Sequence, residues 1–149
     1  MHVVSGALSN PGLDGILMGL RPRSSLRPLL WEFPGGKVEA SDQDPRSALA
    51  REWLEELGLI VSVGERIATA PVHADVVVLV ELFEVSVIRS IAGVWPVSSP
   101  SSNSHEEMRW VDPDDAVRNL GCSPAFYGHY PFLSLWWRGR ERRKRPWRA

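Results

Sequence analysis

Apolar positions recur along this chain with two periods, about two and about 3.6, and the switches between them mark the expected elements. His2 to Leu8 is small and β-branched, the pattern of a strand. Ser9-Asn10-Pro11-Gly12 concentrates turn chemistry, since Pro presets φ while Asn and Gly accept positive φ. Gly15 to Leu20 is a second apolar run, so the two predict a hairpin. Arg21 to Pro28 carries Pro22, Ser24, Ser25 and Pro28 and reads as a loop. Trp31 to Val38 reads as extended, interrupted by Pro34-Gly35-Gly36.

The period then changes. Asp44 before Pro45 pairs an N-cap acceptor with the residue favoured at the first helical position. Ala48, Leu49, Trp53 and Leu57 follow at helical spacing and are expected to face the core, and Gly58 ends the helix as a left-handed cap. Leu59 to Ala70 and Asp75 to Ile88 are strand-like. Val94 to Ser104, with two prolines and a run of serines, predicts an exposed loop, and Met108 to Val111 another strand. Asp112-Pro113 repeats the helix-start signal for Asp114 to Leu120, and an amphipathic helix is predicted over Tyr130 to Trp137. Neither repeat nor linker divides the chain. The order of elements predicts an α+β or mixed α/β fold, one domain over residues 1–137.

Composition narrows the class. At 149 residues with 44% apolar and 23% charged, the chain can bury a core of ordinary globular kind. The single Cys122 excludes an internal disulfide and a cysteine-based zinc site, and reads as a small apolar residue in a reducing compartment. No apolar run is long enough to span a bilayer and no signal peptide opens the sequence, so a soluble cytoplasmic protein, monomer or homodimer, is expected. The net charge of −1 conceals an asymmetry: residues 138–149 hold seven basic side chains and one acid, leaving ten basic and seventeen acidic elsewhere. That end reads as a flexible basic tail. Clustered arginine with Trp147 is a composition that docks on RNA, DNA or an acidic partner, and equally that of a solvated chain end.

Chemistry concentrates between Gly35 and Leu59. Glu52, Glu55 and Glu56 stand at i, i+3 and i+4, on one helix face opposite Leu49 and Leu57. Three carboxylates so placed repel one another unless a cation sits among them, and oxygen-only ligands select a hard ion, Mg²⁺ or Mn²⁺, over zinc. Upstream, Pro34-Gly35-Gly36-Lys37 is a turn whose backbone can approach a ligand closely, and Lys37 adds a cation suited to phosphate. A metal to neutralise charge and an activated water are the parts that polyphosphate cleavage needs.

These residues resemble the Nudix signature: Gly, five residues, Glu, seven residues, Arg-Glu, an apolar residue, any residue, Glu-Glu, any residue, Gly, apolar. Arg51-Glu52-Trp53-Leu54-Glu55-Glu56-Leu57-Gly58-Leu59 matches its second half at every specified position. The first half departs, because fourteen residues separate Gly36 from Arg51, one more than the signature has. The expected first Glu falls on Asp42 or Gln43, and Asp42 or Asp44 is available to replace it. Leu17-Met18-Gly19-Leu20-Arg21-Pro22 and Leu30 to Glu39 are similar to the MutT-like branch, and the resemblance runs from Val3 to about Leu133.

The resemblance implies a mixed curved β-sheet sandwiched between helices. It implies Mg²⁺ held by Glu52, Glu55 and Glu56 with help from the Gly36 carbonyl, and Arg51 as a partner orienting a catalytic glutamate. Either Glu106 or Glu107, in the loop before a Trp-bearing strand, would assist the metal or act as base, while His105 reads as a hydrogen-bonding loop residue. Arg21 and Lys37 would contact phosphates and Phe33 would lie near the base, with Trp31, Trp95, Phe126 and Tyr127 as further stacking candidates. The implied activity is hydrolysis of a (deoxy)nucleoside triphosphate, oxidised or otherwise non-standard, to the monophosphate and pyrophosphate, a cleansing of the nucleotide pool. The alternatives are a hydrolase of ADP-ribose, a dinucleoside polyphosphate or a nucleotide sugar, and a non-catalytic binding module of the same fold. Intact Glu52, Glu55 and Glu56 argue against the last.

Overall fold

A computed structural model describes residues 1–10, 15–73, 76–97 and 100–144. The strands are β1 (His2–Asn10), β2 (Gly15–Leu20), β3 (Trp31–Glu32), β4 (Gly35–Lys37), β5 (Leu59–His73), β6 (Val77–Ser90) and β7 (Glu107–Val111). The helices are α1 (Pro45–Leu57), α2 (Pro113–Asn119) and α3 (Pro124–Lys144).

The sheet is mixed. β1 lies at its centre, parallel to β6 through His2–Leu8 and antiparallel to β4 through Val3–Ser5 and to β2 at Ser9 and Asn10. β2 continues outward to β3 and β7, and β6 pairs with β5 on the other flank. Side chains alternate across this sheet as the period-two pattern requires. Val4, Leu8, Leu17, Phe83 and Val85 pack against Ala48, Leu49 and Trp53 of α1. Ala7, Ile16, Met18 and Leu82 pack on the opposite side with Ala116 of α2 and Phe126, Leu133 and Trp137 of α3. The expected sandwich is therefore present.

α1 starts and stops as its sequence predicts. The Asp44 carboxylate accepts from Ser47 N at 2.7 Å, Pro45 opens the helix, and Gly58 closes it at φ 64°. Trp53, fully buried, ties the helix to the rest: its indole Nε1 donates to Pro34 O at 3.0 Å, just before β4. Leu57, expected in the core, is only half-buried at its edge. At α3 the structure departs further from expectation. The helix begins at Pro124, ahead of the expected Tyr130, under a Ser123 cap, and runs through Gly128 and Pro131. Burial of Phe126, His129, Leu133 and Trp137 outweighs the hydrogen bond that Pro131 cannot make. Gly128 is needed there, because a Cβ would come within 2.8 Å of Ala70 Cβ. The helix also passes the expected boundary at Trp137 and continues to Lys144, with Arg140 paired to Glu84 and lying over Trp136. Trp147 and Arg148 of the expected tail lie outside the described residues.

Trp53→Phe is expected to lower the unfolding free energy by about 2 kcal/mol, through lost packing and an unpaired buried carbonyl. Urea unfolding checks this, and an unchanged midpoint would remove Trp53 from its tying role.

Candidate active site

Arg51 projects from the second turn of α1 into a ring of acceptors. Its Nε and Nη2 bind Asp42 Oδ1 and Oδ2, both at 2.8 Å, a bidentate fork on a carboxylate whose side chain is 6% exposed. Nη2 also reaches Lys37 O at 3.1 Å, and Nη1 lies 3.0 Å from Glu52 Oε1 and 3.3 Å from Glu55 Oε2. Asp42 further accepts from Glu39 N at 2.7 Å. The hydrogen bonds from Arg51, then that from Glu39, hold the Asp42 carboxyl at about 2. The choice left open by the extra residue is settled by this geometry. Asp42 meets the arginine, Asp44 caps the helix, and the longer spacing is absorbed in between.

Glu56 faces the other way, into the protein. Burial, followed by the charge of Glu52, pushes its carboxyl up to about 7, while His105 and a Ser104 hydrogen bond act in the opposite direction. Its Oε2 is buried without a hydrogen-bond partner. Glu52 turns toward Gly36, where a Cβ would come within 2.5 Å of Oε1, so the bare glycine leaves room for that carboxylate. An unpaired buried oxygen beside a second carboxylate is a donor set with affinity for a hard cation. Among the described residues no three His, Cys, Asp or Glu groups already converge as a closed metal cage. Arg51 accounts for this, since it draws Glu52 and Glu55 to itself.

On the other side of β4 lies a cleft of about 460 Å³. Arg21, Phe33 and Lys37, the three residues expected at the substrate, all line it, with Val3, Val78 and Val80 forming apolar wall. Arg21 is oriented by Glu32 Oε2 at 2.8 Å and Arg27 O at 2.9 Å. Phe33 is backed by Phe126, ring centroids 5.4 Å apart. β4 is thus a shared wall: the Lys37 carbonyl belongs to the Arg51 cluster and the residue also lines the cleft.

Other candidates sit elsewhere. Trp31 lies under Arg109 at 4.8 Å, Trp95 packs on Trp110 at 5.9 Å, and Phe126 is fully buried. None of these, nor Tyr127, lines the cleft. Glu107 pairs with Arg109 at 2.8 Å, and the alternation of β7 sets both on the face opposite Met108, away from α1. Glu106 sits beside the loop that follows β2, accepting from Arg23 N at 3.2 Å. Cys122 is buried, its thiol pushed up to about 11 by burial, as suits an apolar residue. Sequence reasoning missed Glu32, Ser102 and Ser104. The available signal for Glu32 was an acid between the aromatics of a buried strand.

Comparison with known proteins agrees with this geometry. Residues 2–133 match the NUDIX domain family. The chain is 34% identical over 122 residues to the CTP pyrophosphohydrolase of Escherichia coli (strain K12), covering 79% of this chain and 80% of that protein. It is 36% identical over 62 residues to the 8-oxo-dGTP diphosphatase of Proteus vulgaris, which covers 42% of this chain and 54% of that protein. Among solved structures, the Escherichia coli ORF135 protein superposes with a TM-score of 0.72 at 28% identity, covering 90% of this chain and 89% of that one. The MutT protein of Methanosarcina mazei Go1 superposes with a TM-score of 0.73 at 21% identity, covering 91% and 94%, and shows the shared fold. The chain belongs to the Nudix family, in its MutT-like branch, and is a Nudix hydrolase. Among the described residues no helix is long and apolar enough to cross a membrane.

The depressed Asp42 group sets an acid limit. Its folded value of about 2 lies below the ordinary carboxylate value, so its stabilisation is complete above about pH 4 and is lost as pH falls toward 2. Asp42→Asn should flatten the stability profile across that window, read by thermal unfolding against pH. A profile with the wild-type slope would contradict the Arg51–Asp42 assignment.

Proposed function

We propose that this hydrolase converts a nucleoside triphosphate to the monophosphate and pyrophosphate with Mg²⁺, and that Mn²⁺ can replace it. The observation that carries this reading is the shared wall β4, which sets the acid helix on one side and a cleft with two cationic side chains and apolar walls on the other. Such a cleft suits an uncharged base and sugar against Val3, Val78, Val80 and Phe33, with the phosphates drawn to Arg21 and Lys37. The similarity to the pyrophosphohydrolase of Escherichia coli, across most of both chains, supports a triphosphate substrate. The shorter match to an 8-oxo-dGTP diphosphatase supports including oxidised nucleotides.

Glu52 and Glu56, with Glu55 and the Gly36 carbonyl, would hold the cation. When bound, the cation supplies charge neutralisation of the phosphates and a water of lowered pKa. The protein's own groups do the positioning. Arg51, fixed by Asp42, holds Glu52 and Glu55 and so limits the directions in which their oxygens can turn. Arg21 and Lys37 stabilise the negative charge that develops as water oxygen attacks phosphorus and the anhydride P–O bond breaks to release pyrophosphate. Glu106, beside the loop that follows β2 and carries Arg21, is the better placed of the two loop acids to assist, and Glu107 is occupied by Arg109.

Incubation of the protein with Mg²⁺ and a panel of CTP, dCTP, 8-oxo-dGTP and ADP-ribose, with products resolved by chromatography, tests the reaction class. Pyrophosphate and a monophosphate from a triphosphate are expected. Cleavage of ADP-ribose alone, giving two monophosphates, would replace this reading with the nucleotide-sugar alternative. Glu56→Gln should lower kcat by roughly 100-fold or more with little change in Tm, because the cation loses a charged ligand while the core keeps its packing. Gly36→Ala should act similarly by displacing the Glu52 carboxylate. Near-wild-type turnover in either variant would remove these residues from the cation site.

A further inference from the structure

Between the acid helix and the cleft runs a line of hydrogen-bonded side chains that neither needs for its own shape. Arg21 donates to Glu32 Oε2 at 2.8 Å, and the other oxygen, Glu32 Oε1, lies 3.3 Å from His105 Nε2. Across the ring, His105 Nδ1 lies 3.0 Å from Ser102 Oγ and 3.2 Å from Ser104 Oγ. The same segment reaches Glu56 through Asn103, whose N–H donates to the Glu56 carbonyl at 3.1 Å. The line starts from the Glu32 carboxylate, and an ionised carboxylate only accepts. One assignment satisfies every member. His105 Nε2–H donates to Glu32, Nδ1 accepts from the Ser102 hydroxyl, and the Ser104 hydroxyl donates to Ser102 Oγ at 3.1 Å. The Ser104 N–H completes it by donating to Ser102 Oγ at 3.2 Å.

The ring is held in place from two further directions. Its side chain is 4% exposed and rests on β2 at Gly19, where a Cβ would come within 2.5 Å of the ring. Two positions far apart in sequence, Gly19 and His105, therefore fit each other. The segment carrying the ring is also fixed at both ends. Asn103 N donates to Glu56 O at 3.1 Å and Asn103 Nδ2 to Glu55 O at 2.9 Å, on the last turn of α1. Glu106 N donates to Leu20 O at 2.9 Å.

We propose that His105 is a positioning residue that couples nucleotide in the cleft to the cation at Glu56, a step that rests on the function proposed above. A phosphate drawn to Arg21 shares the guanidinium with Glu32. Glu32, losing part of its first partner, turns more fully to His105, and the Ser102–His105 segment, bonded through Asn103 to the last turn of α1, then holds Glu56 where the cation meets it. Removing the ring leaves Glu32 and the serines without a common partner, so the two sites respond to their ligands separately. Direct contact between cation and phosphate remains in either case.

Calorimetric titration of Mn²⁺ and the uncleavable analogue α,β-methylene-dCTP, separately and together, tests this on the intact protein and on His105→Ala, His105→Gln and Gly19→Ala. In the wild type each ligand should tighten the other, and His105→Ala should reduce that mutual effect by roughly fivefold or more. The analogue alone should bind His105→Ala within about twofold of wild type, since the cleft walls are untouched. His105→Gln, whose amide N–H can still donate to Glu32, should recover much of the coupling, and Gly19→Ala should reproduce its loss by displacing the ring. Unchanged coupling in His105→Ala would overturn the proposal, as would an equal loss of both affinities with the coupling intact. Failure of the wild type to bind the analogue would count against the triphosphate reading instead. Mn²⁺ alone then decides: weaker binding in His105→Ala upholds the link to Glu56, and unchanged binding overturns it.

Discussion

The guanidinium of Arg51 stands where the loop before α1, the strand β4 and the acidic face of the helix meet. It grips both oxygens of Asp42, takes the Lys37 carbonyl, and faces Glu52 and Glu55. Without a cation between the acidic face and the loop, carboxylates this close would repel, and the fixed positive charge of arginine offsets part of that. Its bidentate fork also sets direction, which a lysine could not do. Loop, strand and helix are brought into one register through a single side chain, and the site depends on that register.

Packing supports the same arrangement from below. Trp53, two residues further along the helix and on its opposite face, bonds Pro34 O, so the backbone entering β4 is held from beneath while Arg51 holds it at Lys37. Gly35 and Gly36 allow this closeness. A Cβ on Gly35 would run into the Val4 carbonyl of β1, and one on Gly36 into the Glu52 carboxylate. The glycine pair serves the strand pairing on one side and the acid helix on the other, which explains why so short a segment separates the acid helix from the cleft.

Much of this was legible because local rules determine it. Asp44-Pro45 and Gly58 bracket α1 through capping, and the spacing of Glu52, Glu55 and Glu56 follows from the helix. Arg21, Phe33 and Lys37 were assigned to a substrate site by resemblance, and all three line one cleft. What sequence left open depends on contacts distant along the chain. Asp42 or Gln43 could not be decided until the loop closed on Arg51. The start of α3 at Pro124, ahead of the expected Tyr130, depends on burial against β5 and β6, not on the helix itself. Glu107 and Glu106 differ by a single position, and only the pairing of β7 with β2 sets the first on the side away from α1. The Arg21–Glu32–His105 line joins three segments with no local signature at all.

The central claim is that acid helix and cleft form one active site across β4. A crystal of the protein with Mn²⁺ and α,β-methylene-dCTP tests it most directly. The account predicts an anomalous peak at about 2.1–2.2 Å from carboxylate oxygens of Glu52 and Glu56, with the phosphates between that ion and Arg21 and Lys37. Mn²⁺ bound away from α1, or a nucleotide bound outside the cleft, would contradict it.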